Sequence, residues 1–274
     1  MSRFEICFEV GDVILRGDFL PSGRDRTVIL VHGGGQTRDC WGGVATGLQR
    51  FGWDVVAMDL RGHGGSGWSR DSDYSIHKFS DDLVEVARNF NKPHVIGAYL
   101  GGLVAFTALL DGHGILFSEV VMIDAIPVYA PSTVRMLMGR MGYGADSLAI
   151  CSDLTPDGGS ILGEIRKKFP RERKNFQPGM DKRPEWRWDP VLIAALEKGR
   201  TRYTRRQFDS RLSNIFNRLS IIVGAYSSIP QALLREFSQY NLDRVEIINI
   251  SRKMLHGESV DYAVLLELAK ILER

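Results

Sequence analysis

The sequence predicts an α/β fold built on a mostly parallel, doubly wound sheet. Six short, nearly continuous apolar runs are typical of strands that helices cover on both faces. Segments of helical length separate several of these runs, so strand and helix alternate along the chain, as they do around a parallel sheet. The six predicted strands are Thr27 to Val31, Trp53 to Met58, His94 to Gly97, Val120 to Ile123, Ser220 to Val223 and Val245 to Ile250.

An antiparallel hairpin is predicted ahead of these strands, at the edge of the sheet. Two runs rich in apolar and β-branched residues, Phe4 to Val10 and Asp12 to Phe19, flank Gly11. The predicted helices are Arg38 to Arg50, Ile76 to Phe90, Leu100 to Leu110, Gln231 to Tyr240 and Ser259 to Leu272.

One long segment interrupts the alternation of strand and helix. Residues 125–219 contain helix-like pieces and loops but no convincing core strand. Because this stretch is too long for a simple loop, we predict a helical cap inserted after the sixth strand. The predicted core therefore comprises residues 1–124 and 220–274, and the predicted cap comprises residues 125–219.

Composition and charge exclude several classes of protein. The 274 residues include 35 basic and 33 acidic ones, so no overall field favours nucleic acid or an anionic membrane. Three cysteines far apart in sequence predict neither a disulfide framework nor a metal site, which favours a reducing cytoplasm. The first twenty residues are too charged for a signal peptide, and the longest uncharged apolar run is too short to span a membrane.

Three glycine-rich segments follow predicted strands. They are VILVHGGG at Val28 to Gly35, AMDLRGHGGS at Ala57 to Ser66 and PHVIGAYLGG at Pro93 to Gly102. In this order and spacing they resemble the α/β-hydrolase superfamily, with its oxyanion loop, its D-x-R-G-x-G-x-S loop and its nucleophile elbow. RKNF and EWRWDP, at 173–176 and 185–190, are similar to the cap of a bacterial branch of small-molecule hydrolases.

The resemblance assigns three positions to a Ser/Asp/His triad, and each holds another residue. Tyr99 occupies the centre of the elbow, where the family places its nucleophile. Ser228 stands where the acid is expected, and Lys253 stands in the place of the histidine, with His256 three residues later. Since a phenol with a reference pKa of ~10 is a poor nucleophile at neutral pH, acyl transfer by Tyr99 is not expected.

Acid/base roles are open to several of the same residues. Tyr99 is predicted to donate a proton or a hydrogen bond to substrate, or else to fill the vacated space. His256 and Lys253 are candidate proton acceptors, although either side chain could instead be solvated or bonded to its own loop. Asp124, which ends the sixth strand, could pair with one of them or anchor the start of the cap.

The resemblance also implies roles for backbone and for loop residues. The N–H groups of Gly34 and Leu100 hold the positions of the oxyanion hole, which does not depend on the missing triad side chains. His32 is expected to brace its loop, as are Asp59, Arg61 and His63. The residues predicted to line the pocket are His32, Gly35, Trp186 and Trp188.

Although the chain is nearly neutral, its charges are predicted to be unevenly distributed. Residues 165–211 hold fifteen basic and six acidic side chains, a net charge of +9, which leaves −7 for the rest. A basic cap would attract an anionic or carrier-bound substrate, whereas the plainer reading is a solvated helical face.

Three classes of function follow from these observations. The first is a cofactor-free enzyme that performs acid/base chemistry, such as cyclisation, elimination or isomerisation, on a small, mostly apolar carbonyl compound. The second is a rewired hydrolase of an ester, lactone or epoxide that uses activated water. The third is a protein that binds a small ligand without catalysis. No cofactor, metal, nucleic acid or membrane partner is predicted for any of them.

Overall fold

An eight-stranded sheet forms the centre of the protein in a computed structural model. The model describes residues 2–126, 188, 189, 192, 203–224, 227, 229–240, 244–250 and 262–274. The strands are β1 (Phe4–Val10), β2 (Val13–Leu20), β3 (Thr27–Val31), β4 (Asp54–Met58), β5 (His94–Ala98), β6 (Glu119–Ile123), β7 (Arg218–Gly224) and β8 (Val245–Ile250).

The order of the strands places the carboxyl ends of β3, β5, β6 and β7 side by side. The sheet runs β1-β2-β4-β3-β5-β6-β7-β8. β1 pairs antiparallel with β2, and β2 pairs antiparallel with β4, whereas all later pairings are parallel. In such sheets, ligands bind in the crevice at the carboxyl ends of the strands, where the strand order reverses. Here the chain reverses direction across the sheet at β3 and β5.

Helices cover both faces of the sheet. They are α1 (Gly42–Arg50), α2 (Ile76–Ala87), α3 (Leu100–Leu110), α4 (Arg205–Ser213), α5 (Gln231–Ser238) and α6 (Tyr262–Leu272). α2, α3, α4 and α5 share one apolar core with the sheet, while α1 and α6 pack in a second core on the opposite face. Every residue of α3 is buried, which accounts for its almost uniformly apolar sequence.

The predicted fold class is confirmed, and most element boundaries differ by only a few residues. The predicted bounds of β1, β3, β8 and α3 match the structure. The segment predicted as one helix from Arg38 to Arg50 instead begins as a short 3-10 turn, Arg38–Trp41, before α1. β7 begins at Arg218, two residues before its predicted start.

Most of the predicted cap, residues 125–219, falls outside the described residues, so the division into core and cap stays a prediction. Within that segment, the structure adds α4, which Thr204 and Gln207 start with a reciprocal capping box. Among the described helices, none is both long enough and apolar enough to cross a membrane.

Candidate active site

The sharp turn predicted between β5 and α3 is present, with Tyr99 at its centre. Tyr99 has φ of 51° and ψ of −113°, a conformation that non-glycine residues rarely adopt. The flanking glycines allow this turn to pack closely: a Cβ on Gly97 would overlap the backbone of Gly101, and one on Gly101 would overlap the Val31 carbonyl. The packing of the glycines therefore sets the backbone geometry of the elbow, whichever residue lies at its centre.

The Tyr99 side chain is half-buried and lies against the loop that follows β3. Its Cδ2 is 3.0 Å from the place that a Cβ on Gly33 would occupy. Burial, followed by the nearby Asp124 carboxylate and Cys40 thiol, raises the pKa of Tyr99 to about 12. The hydroxyl is consequently protonated at neutral pH and can act as a donor. It makes no hydrogen bond to any residue that the structure describes.

The glycines after β3 differ in what their N–H groups contact. Gly33 N–H donates to Gln36 Oε1 at 2.9 Å, and Gly35 N–H donates to His63 Nε2 at 3.0 Å. Between them, Gly34 N–H has no acceptor among the described residues, and neither does Leu100 N–H at the start of α3. These are the two donors predicted from the sequence, and neither is engaged by a group in the described part of the chain.

Two neutral histidines brace the loops beneath these donors. His32 Nε2 accepts from Leu60 N–H at 3.0 Å, so its Nδ1 carries the proton and donates to Gly33 O at 2.7 Å. His63 Nε2 accepts from Gly35, and its Nδ1 donates to Arg61 O at 3.0 Å. Burial lowers the pKa of His32 to about 4 and that of His63 to about 3. Both rings thus remain uncharged at neutral pH and hold backbone rather than substrate.

The Asp59 carboxylate organises the loop that follows β4. It accepts from Arg38 N–H at 2.7 Å, from Gly65 N–H at 2.9 Å and from Arg38 Nη1 at 3.0 Å. Gly64, at φ of +52°, packs so tightly against this carboxylate that a Cβ would overlap it. These contacts agree with the bracing role that the resemblance implies for Asp59.

Arg61 makes a buried, two-pronged ion pair with Asp82 of α2. Its Nε and Nη2 lie 2.6 and 2.5 Å from the two carboxylate oxygens, and both side chains have no exposed surface. Burial raises the pKa of Asp82 to about 6, and the pairing with Arg61 opposes that rise. The pair fixes the loop after β4 to the helix that covers the sheet.

Asp124 lies at the end of β6, 5% exposed and at φ of 46°. Its Oδ1 accepts from Gly224 N–H at 2.9 Å. Burial raises the pKa of this carboxyl group, whereas the hydrogen bond from Gly224 N–H and the Ser227 hydroxyl lower it. The structure therefore gives Asp124 a fixed orientation toward the end of β7, with its charge close enough to influence Tyr99.

The short segment at Trp188 and Asp189 returns the chain to the loop after β4. Trp188 is 4% exposed, and its backbone forms an antiparallel bridge with His63. Asp189 N–H donates to Gly62 O at 2.7 Å, and Tyr74 Oη donates to Asp189 Oδ2 at 2.6 Å. No sequence motif indicates the Tyr74–Asp189 pair, because its members are 115 residues apart.

Several predicted site residues lie outside the described part of the chain: Trp186, Ser228, Lys253 and His256. Of the others, Tyr99, Asp124, Gly34, Leu100, His32 and Gly35 lie at the carboxyl edge of the sheet. Their roles in binding and catalysis stay predictions. Over the described ranges, no group of three or more His, Cys, Asp or Glu side chains could hold a metal ion.

Comparison with known proteins identifies the family. A profile of the Alpha/beta hydrolase family matches residues 28–249, which is most of the chain. The protein therefore belongs to the α/β-hydrolase family, as its three glycine-rich motifs predict.

Individual relatives include enzymes that cleave esters. Esterase Rv0045c of Mycobacterium tuberculosis is 38% identical over 102 residues, which make up 36% of this chain and 33% of the esterase. The chain thus matches only about a third of that relative's length. The solved structure of the same esterase has a TM-score of 0.59 at 21% identity, and covers 99% of this chain and 92% of its own.

A thioesterase domain from the curacin biosynthetic pathway has a TM-score of 0.66 at 17% identity, with 100% of this chain and 99% of the domain covered. At such identities these structures establish the shared fold alone.

Proposed function

We propose that this protein is a cofactor-free α/β-hydrolase-fold enzyme that moves protons on a small, mostly apolar carbonyl compound. The observation that carries the proposal is Tyr99, which stands at the centre of the elbow as a half-buried phenol with its pKa raised to about 12. A group that keeps its proton at pH 7 is a poor nucleophile and a good hydrogen-bond donor.

The proposed reaction begins with a substrate carbonyl oxygen held by Tyr99 Oη and by the N–H groups of Gly34 and Leu100. A base removes a proton from the carbon beside the carbonyl, and the electron pair of that C–H bond moves toward the oxygen. In this reaction the three donors stabilise the enolate that develops, because donors that are held in place before the reaction stabilise the developing charge. Return of the proton, loss of a leaving group or ring closure then completes an isomerisation, an elimination or a cyclisation.

His256 and Lys253 are the proposed proton acceptors, as the sequence predicts. Asp124 supports this step from a fixed position, because its carboxylate accepts a hydrogen bond from Gly224 N–H. Its negative charge raises the pKa of Tyr99 and would orient a cationic or proton-sharing partner. The basic residues predicted between 165 and 211 favour a substrate that is anionic or attached to a carrier.

A second candidate, hydrolysis by activated water, is favoured by the identity to an esterase. In that reaction the same base would deprotonate water, and the hydroxide would add to the carbonyl carbon. The Gly34 and Leu100 donors would stabilise the tetrahedral oxyanion. No acyl-enzyme would form, since Tyr99 stands in the place of the nucleophile.

Deuterium exchange tests the proposal without knowledge of the natural substrate. Small ketones, lactones and thioesters are incubated with the protein in D₂O. Proton NMR then follows the loss of signal from the protons on the carbon beside the carbonyl. We expect catalysed exchange that Tyr99→Phe and His256→Ala each lower by about 10²-fold. Tyr240→Phe, a change at a tyrosine of the α4–α5 surface, serves as the control.

Three outcomes would overturn the proposal. Labelling of a pocket serine by a fluorophosphonate would restore nucleophilic hydrolysis. Turnover of p-nitrophenyl esters with no exchange beside a carbonyl would favour the water mechanism. Binding of a ligand from the panel with neither reaction would favour a non-catalytic binding protein.

A further inference from the structure

We infer that Tyr74 and Asp189 are positioning residues for the Gly34 donor, acting through His63. This inference rests on the proposed function, in which Gly34 N–H stabilises charge on the substrate oxygen. Neither residue belongs to the triad positions or to the predicted pocket lining.

The first step is the pair of hydrogen bonds that joins the loop after β4 to the segment at 188–189. Tyr74 is fully buried, and Ser69 N–H donates to its hydroxyl oxygen at 3.0 Å. The hydroxyl proton is thereby left for Asp189 Oδ2, 2.6 Å away. Asp189, 1% exposed, also donates its own N–H to Gly62 O at 2.7 Å. Its side chain and its backbone are therefore both fixed to this loop.

The second step shows how these hydrogen bonds constrain His63. Gly62, at φ of +71°, lies directly on the Tyr74 ring, where a Cβ would be only 2.6 Å from Cε1. The next residue, His63, forms the antiparallel bridge with Trp188. Because Gly62 and His63 are both held from the 188–189 side, the position of the His63 ring depends on that segment being in place.

The third step shows how the position of the His63 ring sets the direction of the Gly34 N–H. His63 Nε2 accepts from Gly35 N–H at 3.0 Å, while Gln36 Oε1 holds Gly33 N–H at 2.9 Å. Gly34 lies between these two fixed amides, so the direction of its N–H follows from them. Loss of the Tyr74–Asp189 hydrogen bond is expected to make the His63 ring and the Gly35 amide more mobile. The direction of the Gly34 N–H would then be less well defined.

Hydrogen exchange of the Gly35 amide, measured by NMR on the 274-residue chain, tests this coupling directly. In Tyr74→Phe, which keeps the aromatic ring beneath Gly62, we expect Gly35 to exchange about tenfold faster or more. The amide of Leu30, in the middle of β3, reports global stability and is expected to keep its rate. Asp189→Ala is expected to reproduce the effect, whereas Asp189→Asn retains an acceptor and is expected to restore most of the protection.

Tyr240→Phe is the matched control, since it removes a Tyr–Asp hydrogen bond of 2.9 Å to Asp209, between α4 and α5. It is expected to leave Gly35 unchanged. The inference is overturned if Gly35 exchange does not change in Tyr74→Phe, or if Gly35 and Leu30 accelerate by the same factor.

A kinetic measurement separates this inference from the proposed function. In the deuterium-exchange reaction, Tyr74→Phe is expected to lower kcat by about tenfold with KM almost unchanged, because the oxyanion forms only as the reaction proceeds. A protein that fails to catalyse exchange but shows the Gly35 effect would contradict the proposed function alone. A protein that catalyses exchange without the Gly35 effect would contradict the positioning role alone.

Discussion

The buried histidines after β3 and β4 make stability depend on pH, and His63→Gln isolates the contribution of one of them. The His63 ring has no exposed surface, and burial lowers its pKa to about 3 from the ordinary 6.5. In the unfolded chain the ring takes up a proton below pH 6.5, whereas in the folded protein it stays neutral to about pH 3. Acidification therefore favours the unfolded state, and stability present above pH 6.5 is lost as the pH falls.

The size of this effect follows from the pKa difference. Each pH unit below 6.5 costs about 1.4 kcal/mol for one such group, so His63 contributes a loss of about 2 kcal/mol between pH 7 and pH 5. Glutamine can place an acceptor oxygen near the position of Nε2, keeping the hydrogen bond from Gly35 N–H, but it does not titrate.

Urea unfolding at pH 7 and pH 5 measures the effect. Because other groups titrate equally in both proteins, the difference in unfolding free energy between wild type and His63→Gln is the relevant quantity. We expect it to shift by about 2 kcal/mol in favour of the variant on going from pH 7 to pH 5. A difference that stays constant over this range would mean that His63 is not held neutral by burial, and the reasoning would be wrong.

Three further substitutions have expected outcomes. Asp82→Asn removes the two-pronged carboxylate partner of the buried Arg61 guanidinium and leaves it only the longer contact with Asp12 at 3.5 Å, so we expect a loss of about 3–5 kcal/mol in urea unfolding. Gly64→Ala places a Cβ at a positive φ and against the Asp59 carboxylate, so we expect it to lower the Tm. Gly11→Ala is the control, because its Cβ has a similar φ but no atom within 4 Å, and its Tm should stay well above that of Gly64→Ala. Equal Tm values would contradict the steric reasoning. Asp124→Asn removes a negative charge, so the Tyr99 pKa should fall, yet stay above its ordinary value because burial is the larger cause; NMR titration of labelled tyrosine checks both directions.

The fold could be predicted because its signals are local. The apolar runs of β3 and β8 and the all-apolar α3 begin and end where their residue types change, and their bounds were predicted correctly. The single helix predicted from Arg38 was wrong in its first turn, where Asp59 accepts the Arg38 N–H and draws this turn toward the loop after β4.

The site could be predicted only where a motif spans a few consecutive residues. The turn around Tyr99 and the glycines after β3 are such motifs. The holding of Gly33 by Gln36 and the Tyr74–Asp189 bond depend on how loops meet in space. Asp124 illustrates the same limit. Its position at the end of a strand could be predicted, but its hydrogen bond to Gly224, a hundred residues away in the chain, requires β6 and β7 to be neighbours.

The glycine packing around the elbow has a consequence for how this scaffold could change its chemistry. Close contacts of Gly97 and Gly101 impose the strained backbone at Tyr99, so that strain does not depend on the tyrosine itself. Tyrosine and serine codons can differ by a single base. One point mutation would accordingly place a serine hydroxyl on a turn already shaped to present it. The hydroxyl alone is therefore one nucleotide away, whereas its activation would also require a base and an acid in place of Lys253 and Ser228.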